Sequence, residues 1–237
     1  MPFPVLIVID VQKDFFLVGA SRVGSYEKAF CIPGIQKLLA HARGQGWKIV
    51  HVVTEHDGPE TLPRFLRKKG TELYCHRGSD GARLLDGVYV HGERVVRKQH
   101  FSGYRDTDLA AEVAGHDSVV VAGVSADCCV TLTAFEASVD ADVFIPFQAV
   151  SASTRQLYEA SLVNLGKSAG KIVDLNEVLE ANSPLAEMRA VEPQQYVEWY
   201  RSMKGALDRA KSKRGQLPTD AAEIANELDP NREGVGS

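Results

Sequence analysis

Three places in this chain hold side chains that could act together on a carbonyl carbon: Asp10, Lys98, and the adjacent thiols Cys128 and Cys129. A thiol becomes a nucleophile when a base removes its proton and a cation balances the resulting charges. Backbone N–H groups must then hold the oxyanion. Asp, Lys and Cys fill these roles without a histidine, and none of the seven histidines sits in a recognisable paired motif with a cysteine. The alternatives are structural. Free cysteines are commonly small buried apolar residues, and Asp10 could equally serve as a helix cap.

Each of these residues stands where an α/β sheet would deliver it. Pro4-Val-Leu-Ile-Val-Ile-Asp10 is a continuous apolar run, the mark of a strand covered on both faces, and it ends on the acid. Arg94-Val-Val-Arg-Lys98 is a strand ending on the lysine. Val119 to Ala122 is a third such run, punctuated by Gly123, and a helix is predicted from Ala126 or Asp127 through Val139. That helix would hold a cysteine in its first turn, where the macrodipole and unpaired N–H groups favour a thiolate. Ligands of open parallel sheets bind outside the carboxyl ends of the strands, which is where these three sequences converge.

The remaining pattern alternates strand and helix. Pro33 opens a helix that Gly44 and Gly46 stop, and Lys48 to Thr54 forms a strand. Glu55 to Gly92 reads as a lid or pocket-lining insertion with short helices. Its basic run, Arg64 to Lys69, is expected to be a solvated helix face. Leu109 and Val113 mark a short inward helix face, Asp142 to Ile145 a strand, Ser153 to Leu165 a helix capped by Ser or Thr, and Lys171 to Asp174 a sixth strand. The prediction is a Rossmann-like three-layer α/β/α sandwich around a mostly parallel six-stranded sheet. It occupies residues 1–181, and residues 182–237 form a C-terminal helical extension and tail. Within that extension, Pro193 to Arg214 reads as a helix with Tyr196, Tyr200, Met203 and Leu207 on one face. Asp220 to Leu228 reads as a shorter helix with a capping box, and Asp229 to Ser237 as frayed.

Composition narrows the class. With 44% apolar and 24% charged residues the chain is an ordinary globular protein, and a net charge of −4 offers no basic footprint for nucleic acid. No apolar run is long enough to span a bilayer and no leader pattern precedes the first strand, so a cytoplasmic protein without membrane partners is expected. Four irregularly spaced cysteines argue for reduced thiols, not a disulfide scaffold.

Three motifs carry a family resemblance: Val8-Ile-Asp-Val-Gln12, Lys98-Gln-His-Phe-Ser-Gly-Tyr104, and Gly123-Val-Ser-Ala-Asp-Cys-Cys-Val130 followed by Thr133-Ala and Glu136-Ala. In this order the chain resembles, from about Pro4 to Leu179, the isochorismatase-like cysteine hydrolases, which include nicotinamidases and N-carbamoylsarcosine amidases. The resemblance implies Cys129 as nucleophile, Asp10 as base and Lys98 as the balancing cation. It also implies a non-proline cis peptide at Val124–Ser125, with the N–H groups of Ser125 and Cys129 on the oxyanion. The implied activity is hydrolysis of a C–N bond in a small amide, carbamoyl or ureide substrate through a thioester, without a cofactor, by a homodimer or homotetramer. Phe15, Tyr74, Arg77, His100 and Tyr104 are the candidate substrate contacts, with Arg77 suited to a carboxylate. The nicotinamidase metal set is not reproduced: His56 and Gly58 stand where Asp and His would be, and Tyr74 stands in a further histidine slot. No metal is therefore expected, with His56, Asp57 and His76 read as polar surface or pocket residues. The alternatives are vinyl ether hydrolysis of isochorismatase type, with Asp10 as acid and Cys129 incidental, and a non-catalytic binding protein on the same fold.

Overall fold

The computed structural model of the 237-residue chain describes residues 3–16, 24–180, 185–214 and 228. The chain opens with β1 (Val5–Ile9), a one-turn helix α1 (Lys13–Phe16), a 3-10 helix over Tyr26–Cys31, and α2 (Ile32–Gln45). Pro33 lies in the first turn of α2, and Gly46 ends it in the left-handed conformation. β2 (Lys48–Thr54), α3 (Arg64–Lys68), β3 (Arg94–Lys98), α4 (Leu109–Val113) and β4 (Ser118–Val124) follow. A π-helical turn over Ala126–Val130 leads into α5 (Thr131–Ala137) and β5 (Asp142–Pro146). The chain continues with β6 (Val150–Ser151), α6 (Arg155–Ser168), β7 (Lys171–Val173), α7 (Leu175–Glu180) and α8 (Pro193–Arg214).

The strands form one parallel sheet in the order β3-β2-β1-β4-β5-β7, with β6 paired to β4. All five residues of β1 are buried, as the unbroken apolar run requires of a strand with neighbours on both sides and cover on both faces. Because β1 lies between β2 and β4, the order reverses there, and the crevice outside the carboxyl ends of β1 and β4 is the natural ligand site. The register brings Ile9 level with Val52 and Gly123, and Thr54 level with Lys98.

The sheet has seven strands, not the expected six. β6 has two residues, follows a 3-10 turn over Phe147–Ala149, and takes over the pairing of β4 at Gly123 and Val124, beyond the point where β5 leaves it. Two residues carry no periodicity to read. The predicted helix from Ala126 to Val139 is also modified, starting as a π turn and ending at Ala137. Thr131 Oγ1 bonds the Ala126 carbonyl at 2.5 Å, and the N–H groups of Cys128 and Val130 both reach the Ser125 carbonyl, which widens the turn.

The insertion after β2 is tied down by a bridge between His56 and His76 and by another between Gln12 and Leu84. Its basic run forms α3, as expected. The cap of α6 is Thr154, whose Oγ1 accepts from the N–H of Leu157. α8 packs on its own chain: Tyr196, Tyr200 and Leu207 are buried, and Tyr158 of α6 meets Tyr196, Trp199 and Tyr200 in an aromatic cluster. The helix expected over Asp220–Leu228 and the tail beyond it lie outside the described residues, apart from the buried Leu228.

Gly123 sits at the end of β4 with φ of 116°, and a Cβ there would stand 2.1 Å from the carbonyl oxygen of Ile9. Neither the backbone angle nor the space admits a side chain. Gly123→Ala is expected to destabilise the fold by about 2–4 kcal/mol, in the range for a strained core substitution. Urea unfolding checks this, and an unchanged midpoint would refute the assignment of Gly123 as the tight contact between β1 and β4.

Candidate active site

Asp10, the first residue past β1, is completely buried in the left-handed conformation with φ of 54°, and its N–H bonds the Val52 carbonyl at 2.8 Å. From β3, Lys98 places its ammonium 2.8 Å from Asp10 Oδ2, 2.6 Å from Thr54 Oγ1 and 3.5 Å from Cys129 Sγ. Thr54, at the end of β2, donates its hydroxyl to Asp10 Oδ1 at 2.9 Å. Gln12 fixes Thr54 from behind, accepting from its N–H and donating to its carbonyl, each at 2.8 Å. Four neighbouring strands thus contribute to one polar cluster, and the Val124–Ser125 peptide beside it is cis.

The electrostatics of the cluster are asymmetric. Burial opposes the charge on Lys98, but the attraction of Asp10 and Cys129 outweighs it and the lysine pKa rises, so the ammonium persists. Cys129 is held as a thiol, well above the ordinary thiol range, by its hydrogen bond with Cys128 and by burial, with Lys98 opposing both. Cys129 is therefore protonated at rest, and forming a thiolate there would require a base. Asp10 stands 2.8 Å from the same ammonium that touches the thiol.

A cavity of about 280 Å³ opens onto this cluster. Of the predicted substrate contacts, Phe15, Tyr74 and His100 line it, while Arg77 and Tyr104 do not. Arg77 is exposed and pairs with Asp57 at 2.7 Å, because the His56–His76 bridge turns the next residue toward the carboxylates of Glu55 and Asp57. Tyr104 follows Gly103, which is pinned by Thr133 Oγ1, and its hydroxyl is buried on the side of α5. There burial, with Asp140 and Glu136, pushes its pKa up to about 12. Sequence reasoning also missed three residues. Thr54 and Gln12 are polar residues at the ends of apolar runs, a readable signal, whereas Lys28 comes from a 3-10 helix with no sequence pattern.

His56 also lines the cavity. Its Nδ1 lies 3.1 Å from Thr61 Oγ1, whose one proton goes to the Gly58 carbonyl, so Nδ1–H must be the donor and Nε2 carries a bare lone pair. Nε2 is buried and has no hydrogen-bond partner among the described residues. Asp57 accepts from Gln99 instead, and His76 is exposed. Among the described residues no three His, Cys, Asp or Glu side chains are grouped as a metal would require.

Burial first, and then Lys98, push the His56 pKa down to about 4. An unfolded histidine titrates near 6.5, so between these values the unfolded chain binds the extra proton and stability falls as pH drops from about 6.5 to 4. The expected cost is up to about 1.4 kcal/mol per pH unit. Thermal melts of wild type and His56→Phe at pH 7, 5.5 and 4.5 check it, with the variant expected to show the shallower decline. Parallel declines would assign the acid sensitivity to other groups.

Comparison with known proteins places the fold in a family. Residues 4–177 match the isochorismatase domain. A probable inactive nicotinamidase of Arabidopsis thaliana is 28% identical over 183 residues, covering 73% of this chain and 92% of that protein. The crystal structure of an isochorismatase family protein from Desulfovibrio vulgaris superposes with a TM-score of 0.67 at 29% identity, covering 75% of this chain and 97% of the other. N-carbamoylsarcosine amidase from Thermoplasma acidophilum gives a TM-score of 0.60 at 25% identity, covering 72% and 96%. With the match spanning the whole sheet and the residues at its carboxyl edge, the chain belongs to the isochorismatase family of hydrolases.

Proposed function

We propose that this hydrolase is a cysteine-dependent amidohydrolase that cleaves a C–N bond in a small amide, carbamoyl or ureide substrate and releases ammonia or an amine. The observation that carries it is the position of Lys98, within 2.8 Å of Asp10 and 3.5 Å of Cys129 at the floor of a small cavity. In this mechanism Asp10 accepts the Cys129 proton and the thiolate attacks the carbonyl carbon. The N–H groups of Ser125 and Cys129 take the oxyanion. Asp10 returns the proton to the departing nitrogen, and water, deprotonated by the same carboxylate, cleaves the thioester. Lys98 keeps its charge throughout and offsets the negative charge as it passes between thiolate, carboxylate and oxyanion. Each step uses only these groups and water.

The similarity to an N-carbamoylsarcosine amidase supports C–N chemistry, while the name of the Arabidopsis relative keeps a non-catalytic role in view. What favours turnover is that base, cation and thiol are all present and in contact through Lys98. Ammonia release from a panel of primary amides, carbamoyl compounds and ureides tests the proposal. Cys129→Ala is expected to lower turnover about 10³-fold or more while the circular dichroism spectrum and melting temperature hold. Ordinary turnover in that variant would leave the thiol incidental, as vinyl ether hydrolysis with Asp10 as the acid would require.

A further inference from the structure

The cavity over Cys129 has two kinds of support. Asp10, Thr54 and Lys98 stand at or just past the ends of paired strands, where register and hydrogen bonds fix them. Phe15, Lys28 and Ser153, which line the same cavity, are tied to the 3-10 turn Tyr26–Cys31. Ser25 caps that turn. Its N–H reaches the Phe15 carbonyl at 3.4 Å, and its hydroxyl donates to Glu27 Oε2 at 2.8 Å and lies 3.4 Å from the Ser153 carbonyl. Lys28 belongs to the turn, with its ammonium 5.2 Å from the centre of the Phe15 ring. Runs of 3-10 helix beyond about four residues have poor hydrogen-bond geometry, so this six-residue turn takes its position from its neighbours.

Two elements distant in sequence supply that position. Ser151 of β6 donates its hydroxyl to the Glu27 carbonyl at 2.7 Å. α8 adds two contacts: Lys204 pairs with Glu27 at 3.3 Å, and Tyr200 meets Phe30 edge-on with ring centres 5.1 Å apart, both rings being buried. Tyr200 is backed in turn by Tyr158 of α6, also at 5.1 Å. α8 lies beyond the residues matched by the isochorismatase domain, so part of the wall of the reactive cavity is braced by an element outside that match.

We propose that Tyr200 and Lys204 are positioning residues: through Phe30 and Glu27 they hold the Tyr26–Cys31 turn against the cavity and so set the size of molecule admitted to Cys129. Neither residue lines the cavity itself. This rests on the cavity being the substrate site, as in the amidohydrolase proposal, and not on which bond is broken there.

The four cysteines report on this in the intact protein. Cys128 and Cys129 line the cavity, Cys31 is buried in the turn with its Sγ 3.1 Å from the Lys28 carbonyl, and Cys75 is buried in the insertion after β2. Iodoacetamide and N-benzyl iodoacetamide carry the same reactive carbon and differ in bulk. The ratio of their rates at the cavity thiols, read by mass spectrometry, therefore reports space and cancels thiol ionisation. Wild type is expected to favour the small reagent. In Tyr200→Ala that preference should fall about threefold or more and Cys31 should become reactive, while Cys75 stays protected and shows that the fold is intact. Lys204→Met should lower the preference in the same direction with little change in melting temperature, since a half-exposed ion pair adds little stability. Tyr200→Phe keeps the ring and should behave as wild type.

An unchanged ratio in Tyr200→Ala with Cys75 protected overturns the proposal. Should Cys75 react as well, Lys204→Met decides, and an unchanged ratio there overturns it. So does the same shift in Tyr196→Ala, whose ring meets Phe147 and Tyr158, because the stability of α8 and not its grip on the turn would then be the cause. A wild type that labels neither cavity thiol, or labels them equally with both reagents, also overturns it. Turnover is a separate readout. On any amide that releases ammonia, Tyr200→Ala should raise KM with kcat held within about twofold, and a fall in kcat at constant KM counts against the positioning role. The labelling shift with no ammonia from any amide would support that role and count against amide hydrolysis.

Discussion

A carboxylate and an ammonium buried together at the end of a parallel sheet constrain everything around them. Asp10 and Lys98 are both out of contact with water, and leaving either alone there would cost several kcal/mol. They are tolerated because each is fully engaged, Asp10 by Lys98 and Thr54, Lys98 by Asp10, Thr54 and Cys129. That engagement demands that three strands end at the same level. The register supplies it, with Ile9 opposite Val52 and Thr54 opposite Lys98. A slip by one residue in any of these strands would turn a polar side chain of the cluster into the opposite face. The sheet and the charge pair therefore fix one another.

The same pair sets the charge state of the cavity above it. Lys98 stays protonated and helps push His56 toward neutrality, and its charge opposes the burial that holds Cys129 as a thiol. His56, with Nδ1 committed to Thr61, keeps Nε2 buried as an acceptor with no partner among the described residues, and Lys28 lines the same cavity. The wall is thus polar at a few fixed points among aromatic and aliphatic surfaces, the arrangement by which a small site selects a ligand by its functional groups and not by its bulk.

How much of this the sequence reveals follows from the kind of signal each part leaves. Strands buried on both faces must be continuously apolar, so β1, β2 and β4 are legible, and residues at their ends are placed with them. Asp10, Lys98 and Cys129 come to one edge for that reason. β6 is too short to show a period, and the π turn at Cys128 and Cys129 depends on side-chain bonds from Thr131 that no periodicity encodes. Arg77 and Tyr104 are chemically plausible ligands that do not line the cavity over Cys129, because one bridge and one pinned glycine decide the path of the chain. Lys28 is invisible for the opposite reason: it sits in a short turn without periodicity, whose neighbouring Glu27 is held by Ser151 of β6 and Lys204 of α8, far away in the chain.

The strand order has a consequence for how the protein is made. β1, β2 and β3 leave the ribosome in sequence and lie side by side, yet the two charges are separated by 88 positions. Until Lys98 has emerged, drying the carboxyl end of β1 would strand a lone carboxylate, so the early sheet must stay wet at the end that later becomes the site. β4 and its thiols come later still and close the other side. Dehydration of that edge must therefore wait for Lys98, and a nascent chain that stalls short of the turn after β4 carries neither Cys128 nor Cys129.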